Sequence, residues 1–368
     1  MKLATVFSGI GAIEQACKRL GIETEIVFAC DNGNRNIDID SDNELEKIKQ
    51  LKTVEDKRKY VDDLYAGLSR KTNFVQQSYM ANYKITNNNF FQDVKLLDGS
   101  DFKGKVDLFV GGSPCQSFSI AGRRLGFEDT RGTLFYDYVR LVKEIQPKAF
   151  VFENVYGLIT HDKGKTFETI KNVFEDLGYH YTYQVLDARD YGIPQGRRRL
   201  FVIGFKDKKR LEKFKFPEKQ KLTTTMKDYL EDKVKDGNLL SINGKLTAVS
   251  DESGVPEERY YLSEKLKAYV LCPGTKNFMH HDAKTDLPIA RALLSTMGNT
   301  HRASVNNYVT TNGKLRALTM REAHRLMGFP DDYKIVVSKA QAYKQAGNSI
   351  VVDVLMAIMK NIKIALED

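Results

Sequence analysis

The sequence predicts an α/β fold: a mostly parallel sheet covered on both faces, with a second, smaller domain. Three observations predict it. Short apolar runs alternate with helix-period segments from the first residue onward, which is the pattern of βα units. The apolar run 106–112 leads into Pro114-Cys115-Gln116, so a cysteine leaves the end of a buried strand, where α/β proteins place chemistry. After Gly204 the alternation stops and a lysine-rich stretch begins.

The first strand, over 3–7, runs into Ser8-Gly9-Ile10-Gly11, a glycine turn that lets a ligand approach the backbone at a helix N-terminus. The helix after it puts Ile13, Ala16, Cys17 and Leu20 on one face. A strand over 25–30 ends at Asp31, 20 residues after Gly11, where a carboxylate can bind ribose hydroxyls. Glu14 stands in place of the third glycine of a pyrophosphate fingerprint, and an acid there repels a pyrophosphate. A cationic nucleoside such as S-adenosylmethionine fits better, although the two glycines equally fit a plain tight turn.

Residues 38–72 interrupt the rhythm with charges of both signs, and Val61, Leu64, Tyr65 and Leu68 fall at helical spacing. This reads as an inserted amphipathic helix, a solvated flap packed on the domain. Strands follow at 106–112, 149–152 and 200–204. The second domain is expected over 206–337, opening with the basic run Lys206, Lys208, Lys209, Arg210, Lys213, Lys215, Lys219 and Lys221. Within it a helical pattern over 320–327 is ended by Gly328-Phe329-Pro330. The last helix, over 351–365, carries Val351, Val354, Leu355, Ile358 and Ile362 on one side. That side needs a sheet to cover, so 338–368 is expected to fold back onto 1–205.

Composition bounds the partners. A formal charge of +9 over 368 residues favours a polyanion, nucleic acid before membrane. No apolar run approaches the ~18 residues of a membrane span. Cys17, Cys30, Cys115 and Cys272 are widely spaced with no CxxC pair, so neither a disulfide framework nor a zinc site is indicated, and a reducing cytoplasm fits. The six histidines show no ligand spacing, so no metal is expected.

The run Gly111-Gly112-Ser113-Pro114-Cys115-Gln116-Ser117-Phe118-Ser119 is far more specific than the glycine turn. So is the strand end Glu153-Asn154-Val155. Together with Gln195-Gly196-Arg197-Arg198-Arg199, the stretch from Arg316 through Pro330, and Gly347-Asn348-Ser349-Ile350-Val351, they resemble the motifs of the DNA cytosine-5 methyltransferases, in that family's order. The compact chain resembles the bacterial restriction-modification type. The resemblance implies a Rossmann-like S-adenosylmethionine-dependent methyltransferase sheet with a target-recognition domain. It places the cofactor, and its product S-adenosylhomocysteine, on Phe7, Gly9, Gly11, Asp31, Asn32, Asp93, Pro114, Leu134 and Asn348. It makes Cys115 the nucleophile and Glu153 the acid, and has Arg197 and Arg199 bracket the base.

The chemistry explains these residue types. Cytosine C5 takes a methyl group only after a thiolate adds to C6 and turns the ring into an enamine, so the thiol pKa must be lowered. Arg197 and Arg199 offer positive charge for that. Addition pushes electron density onto N3 and O2, where Glu153 can donate, with Asn154 and the backbone expected to hold it. The base must first leave the duplex stack. DNA contacts are expected from Gln116, Ser119, Arg123, Arg124 and Arg131 in a glycine-punctuated loop, and from Lys208, Lys209, Arg210, Asn299 and Arg302 in the second domain. The expected partners are double-stranded DNA at one short sequence and a cognate restriction endonuclease acting on the same site, in a bacterial cytoplasm at the nucleoid. A tRNA cytosine-5 methyltransferase and a catalytically silent DNA-binding relative are the rival readings.

Overall fold

The computed structural model describes residues 1–113, 134–232, 238–249, 254–272 and 283–367. In chain order its strands are β1 Lys2–Val6, β2 Glu25–Cys30, β3 Phe90–Phe91, β4 Leu108–Gly111, β5 Ala149–Val155, β6 His180–Asp187, β7 Gln195–Gly196, β8 Arg198–Phe205, β9 Leu239–Ile242, β10 Lys245–Ala248, β11 Ala290–Arg291, β12 Tyr308–Thr311 and β13 Lys314–Ala317. The α-helices are α1 Ala12–Leu20, α2 Ser41–Lys49, α3 Val54–Leu68, α4 Phe74–Asn82, α5 Leu134–Ile145, α6 Lys165–Asp176, α7 Lys208–Lys213, α8 Glu264–Leu271, α9 Met320–Arg325, α10 Lys339–Asn348 and α11 Val352–Leu366.

Seven strands form one sheet in the order β3-β2-β1-β4-β5-β8-β6. The neighbours from β3 to β5 pair in parallel, while β8 runs antiparallel to both β5 and β6. Alternate residues face opposite layers, as the period of two requires. Leu108, Val110, Ala149 and Val151 pack under α1 and α11, whereas Phe109, Phe150 and Phe152 pack under α5 and α6. The strand order reverses between β1 and β4, the place where open α/β sheets leave a crevice.

The C-terminal helix covers the sheet beside α1. Arg19 of α1 reaches Asp353 of α11 at 2.7 and 3.0 Å and also donates to the carbonyls of Gly328 and Gly244. One hydrophobic cluster therefore runs from β1 through Met226, Tyr260 and Leu293 to Ala365. The 206–337 stretch contributes to the same core as the main sheet, and its outer part has a small cluster of its own around Val270, Ala303, Tyr308 and Leu315.

The insertion holds two helices, α2 and α3, rather than one. Val61 and Tyr65 are buried as their spacing predicts, but Leu68 is 55% exposed, because α3 ends there and its last turn passes the edge of the domain. The Nζ of Lys57 lies 2.7 Å from Asp98 and 2.8 Å from Asp101, which fastens α3 to the body.

The buried charges between Asp232 and Glu322 hold the second region together. Arg316, with no exposed surface, sits 2.8 Å from both carboxylate oxygens of Glu322, 3.2 Å from Asp232 and 2.8 Å from the Thr311 hydroxyl. Glu322 also accepts from Thr319 N–H and Glu231 N–H, so it closes the capping box of α9. Removing the arginine strands a buried carboxylate. Arg316→Met is expected to cost about 3–5 kcal/mol in urea unfolding. Lys59→Met, which breaks the exposed Lys59–Asp63 pair, is expected to leave the midpoint unmoved. Equal midpoints for both variants would refute this account of the second region.

Candidate active site

The glycine turn leaves β1 at the reversal of the sheet order. Phe7, Gly9 and Gly11 all adopt left-handed backbone, with φ of 52°, 54° and 75°. The strain at Phe7 is held by its neighbour: the Ser8 hydroxyl is hydrogen-bonded to Thr5 and to both backbone groups of Cys30, so it stitches the turn to the end of β2. A Cβ on Gly11 would overlap the Tyr83 ring, whose hydroxyl donates to the Gly11 carbonyl at 2.6 Å. Asp31 closes β2 and accepts from Gly9 N–H at 3.0 Å and Gly33 N–H at 2.8 Å. Its carboxylate thus braces the turn, and burial raises its pKa.

Asn32 and Asp93 stand nearby. The Asn32 carbonyl accepts from Arg35, and Arg35 in turn reaches Gln92, the residue before Asp93. Asp93 accepts from Lys95 N–H at 3.0 Å and from the Tyr65 hydroxyl at 2.7 Å. Leu134 opens α5 and packs on the same cluster as Phe7. Pro114 lies outside the described residues. Phe7, Gly9, Gly11, Asp31, Asn32 and Asp93 therefore gather at the ends of β1, β2 and β3.

Glu14 differs from its expected part. Its carboxyl is buried, accepts from Tyr79 at 2.6 Å and from Thr5 at 3.2 Å, and is pushed up to about 7 by burial. It is turned to the protein's own hydroxyls, so its charge is not what selects a ligand on the turn.

A second constellation lies at the end of β5. The Glu153 carboxylate is 3.1 Å from Arg199 Nε on the antiparallel neighbour β8. A Cβ on Gly112 would stand 2.7 Å from Glu153 Oε2 and 3.1 Å from its carbonyl oxygen, so a side chain there would push the carboxyl off that backbone. Burial raises the Glu153 pKa, and Arg199 followed by Arg197 draws it back. Asn154 does not hold Glu153. Its amide donates to the Ser113 carbonyl at 2.9 Å, because alternation along β5 turns it to the other side. It fixes the backbone that leads into Pro114-Cys115-Gln116 instead.

Arg197 and Arg199 take different positions. Arg197 is 4% exposed and donates to the carbonyls of Leu293, Gly347 and Ser349 at 2.9, 2.9 and 2.7 Å. Its pKa is brought down to about 9 by burial, with Arg199 adding to the fall and Glu153 opposing it. Of the two arginines expected to bracket the base, Arg197 is engaged with backbone carbonyls and Arg199 faces Glu153. Asn348 is exposed between the two carbonyls that Arg197 holds. Gln195, to which the motif alone gives no role, is fully buried and ties Leu293 N–H to the Leu326 carbonyl.

Of the expected DNA contacts, Gln116, Ser119, Arg123, Arg124 and Arg131 lie outside the described residues, as does Cys115. Lys208, Lys209 and Arg210 do not border the site. Arg199 pairs with Val155 at the Glu153 end of β5, and Phe205 pairs with Ala149 at the other end, about 20 Å away. The chain leaves β8 at that far end, where Arg210 donates to the last carbonyls of α11. Asn299 lies in the exposed turn after Leu293, whose carbonyl Arg197 holds. Arg302 stacks on Tyr269 at 3.9 Å and donates to its carbonyl. One pair escaped the sequence reading: Arg198 lies 4.4 Å over the ring of Tyr156, both exposed, just beyond Glu153 and beside Arg199. An exposed aromatic directly after a functional strand end was the available signal.

The raised pKa of Glu14 predicts a pH dependence. Between pH 4.5 and about 7 the unfolded chain has released a proton that the folded chain keeps. Stability from this group is full below 4.5 and falls as pH rises through 7, by roughly 3 kcal/mol. Glu14→Gln, neutral throughout, is expected to flatten that part of the stability profile in thermal unfolding. An unchanged slope would overturn the assignment.

The family model of the C-5 cytosine-specific DNA methylases matches residues 65–364. The Type II methyltransferase M.SsoII of Shigella sonnei is 38% identical over 291 residues, covering 78% of this chain and 71% of that protein. M.HhaI of Haemophilus parahaemolyticus is 38% identical over 258 residues, covering 70% and 75%. In structure, the Dnmt2 methyltransferase of S. pombe aligns over 98% of both chains with a TM-score of 0.64 at 17% identity, which speaks for the fold. With the family model spanning most of the chain and these relatives spanning most of its length, the chain belongs to the C-5 cytosine-specific DNA methylase family.

Proposed function

We propose that the protein transfers a methyl group from S-adenosylmethionine to C5 of a cytosine swung out of duplex DNA, at one short sequence, through a covalent adduct to Cys115. The observation that carries this reading is the half-buried Glu153 carboxyl, paired with Arg199 and laid on Gly112 beside the backbone that enters Pro114-Cys115-Gln116.

The first constellation fits a cationic nucleoside. Asp31 and Asp93 put two carboxylates at the strand ends, and a Cβ on Gly9 would meet only the Phe7 carbonyl, at 3.9 Å, so that face of the turn is open. Phe7, Gly9, Gly11, Asp31, Asn32, Asp93 and Leu134 would hold the cofactor, with Pro114 and Asn348 completing the set. When bound, it supplies an electrophilic methyl group.

The protein's own residues make the cytosine able to accept that group. The Cys115 thiolate adds to C6, and the charge that develops at N3 and O2 is met by Glu153. Burial lets Glu153 keep a proton nearer neutrality than an ordinary carboxyl, while Arg199 limits the shift. Arg199, 3.1 Å from Glu153, offers the positive charge that would favour the thiolate. After C5 is methylated, a water takes the C5 proton, the C6–S bond breaks, and ring and thiolate are restored. Arg123, Arg124 and Arg131 serve phosphates, the Tyr156–Arg198 stack lies at the mouth of the site, and the turn at Asn299 reads base edges. The biological partner is a restriction endonuclease acting on the same sequence.

Cys115→Ser is expected to bind DNA and cofactor and to lose methyl transfer, and a 5-fluorocytosine duplex should trap the wild-type chain at Cys115. Glu153→Gln should slow single-turnover transfer by at least ~10²-fold. Methyl incorporation is measured on duplex DNA and on tRNA, followed by sequencing of the modified cytosines. Activity on tRNA alone, or full activity of the serine variant, would refute the proposal.

A salt series separates the two basic surfaces. Arg198→Ala should lower the salt slope of duplex binding by about one unit, and Lys208→Ala with Lys209→Ala should leave it unchanged. The reverse pattern would place DNA at the far end of the sheet.

A further inference from the structure

The insertion reaches the first constellation through one side chain. Tyr65, on α3, is 2% exposed, and its hydroxyl donates to Asp93 Oδ2 at 2.7 Å and lies 3.3 Å from the Arg35 carbonyl. The Arg35 guanidinium covers its ring at 4.6 Å. Asp93 Oδ1 is taken by Lys95 N–H. Each carboxylate oxygen thus has one fixed donor and one lone pair left over. The helix that carries Tyr65 is itself pinned, by the buried Lys57–Asp98 and Lys57–Asp101 pairs and by Val61 and Ile48 in the core beneath it. Tyr65 also lines a polar cavity of about 540 Å³, together with Arg35, Arg58, Asp62, Gln76 and Gln92.

We infer that α3 is part of the cofactor pocket and that Tyr65 is a positioning residue: it holds the Asp93 carboxylate in the orientation that accepts a nucleoside amine or hydroxyl, and its ring walls Asp93 off from the polar cavity. This rests on the reading of Asp93 as a cofactor contact. The physical case is one of preorganisation. A carboxylate on a short side chain turns about its last bond, and a donor on each oxygen stops that turn before the ligand arrives. Burial, and then the charge of Asp93, raises the Tyr65 pKa, so the phenol keeps the proton it donates. A solvated flap needs none of these contacts.

The test is titration calorimetry of the purified full chain with S-adenosylmethionine and, separately, with S-adenosylhomocysteine. Tyr65→Phe keeps the ring and removes the donor. It is expected to weaken both ligands about 5–20-fold, to raise KM for S-adenosylmethionine by the same factor at unchanged kcat, and to leave DNA affinity without cofactor unaltered. Tyr65→Ala, which also opens the cavity, should weaken them further. In the Asp93→Asn background, Tyr65→Phe should have no additional effect. Unchanged affinity in Tyr65→Phe with lost affinity in Asp93→Ala overturns the role of Tyr65 and leaves the cofactor site standing. Unchanged affinity in Asp93→Ala overturns both. A fall in kcat and DNA affinity alongside the cofactor affinity would mean that Tyr65 serves only the general fold.

Discussion

The Arg197 guanidinium is the contact on which the rest of the site depends. It has given up water for three carbonyls that belong to distant parts of the chain: Leu293 after β11, and Gly347 and Ser349 around the end of α10. A buried cation without full compensation is expensive, and here burial already costs it enough to bring its pKa to about 9. The cost is offset because the three carbonyls would otherwise be buried acceptors without that donor. The consequence is geometric. Residue 197 immediately precedes β8, so fixing it fixes where β8 begins, and with it the side of Glu153 that Arg199 approaches.

The reversed strand explains much that follows. Because β8 runs against β5, its first residues stand at the end of the sheet where β1, β4 and β5 deliver the glycine turn, Gly112 and Glu153. A parallel strand in that place would have put Arg199 at the opposite end. The same reversal carries 206–213 away from the site, where the basic side chains serve the C-terminus of α11. One topological choice thus brings one arginine to the chemistry and takes a run of lysines from it.

This divides what was legible in the sequence from what was not. β1, β2, β4 and β5, the apolar face of α1 and the course of α11 were legible, because periodicity of 2 and 3.6 is a local property. So were Glu153, Arg199, Asp31 and the glycines, because their types and spacing carry the motif. The direction of β8 is set by pairing partners far apart in sequence, which no local pattern records, so the letters of the lysine run did not tell at which end of the sheet it stands. Arg197 and Arg199 look equivalent as letters two apart. They differ because one lies inside the strand ladder and the other in the turn before it. Tyr65 had the right spacing for a buried position, yet its hydroxyl gave no sign that it would find Asp93 rather than bulk water. Cys115 and its loop, the most informative letters in the chain, lie outside the described residues.

The two carboxyls that matter most illustrate how burial and pairing are balanced. Glu14 is buried with hydroxyl donors alone, and desolvation dominates, raising it to about 7. Glu153 is half-buried and its pKa is also raised, but a guanidinium at 3.1 Å restrains the rise. In the role proposed for Glu153, a proton given to a ring nitrogen, burial keeps the proton on the carboxyl and the arginine eases its release. Gly112 sets the balance structurally. By leaving room for the carboxyl on the backbone, it lets Glu153 lie there within reach of Arg199, where a Cβ would stand 2.7 Å from Oε2 and push it aside. The glycine before Ser113 therefore acts on Glu153 of the neighbouring strand.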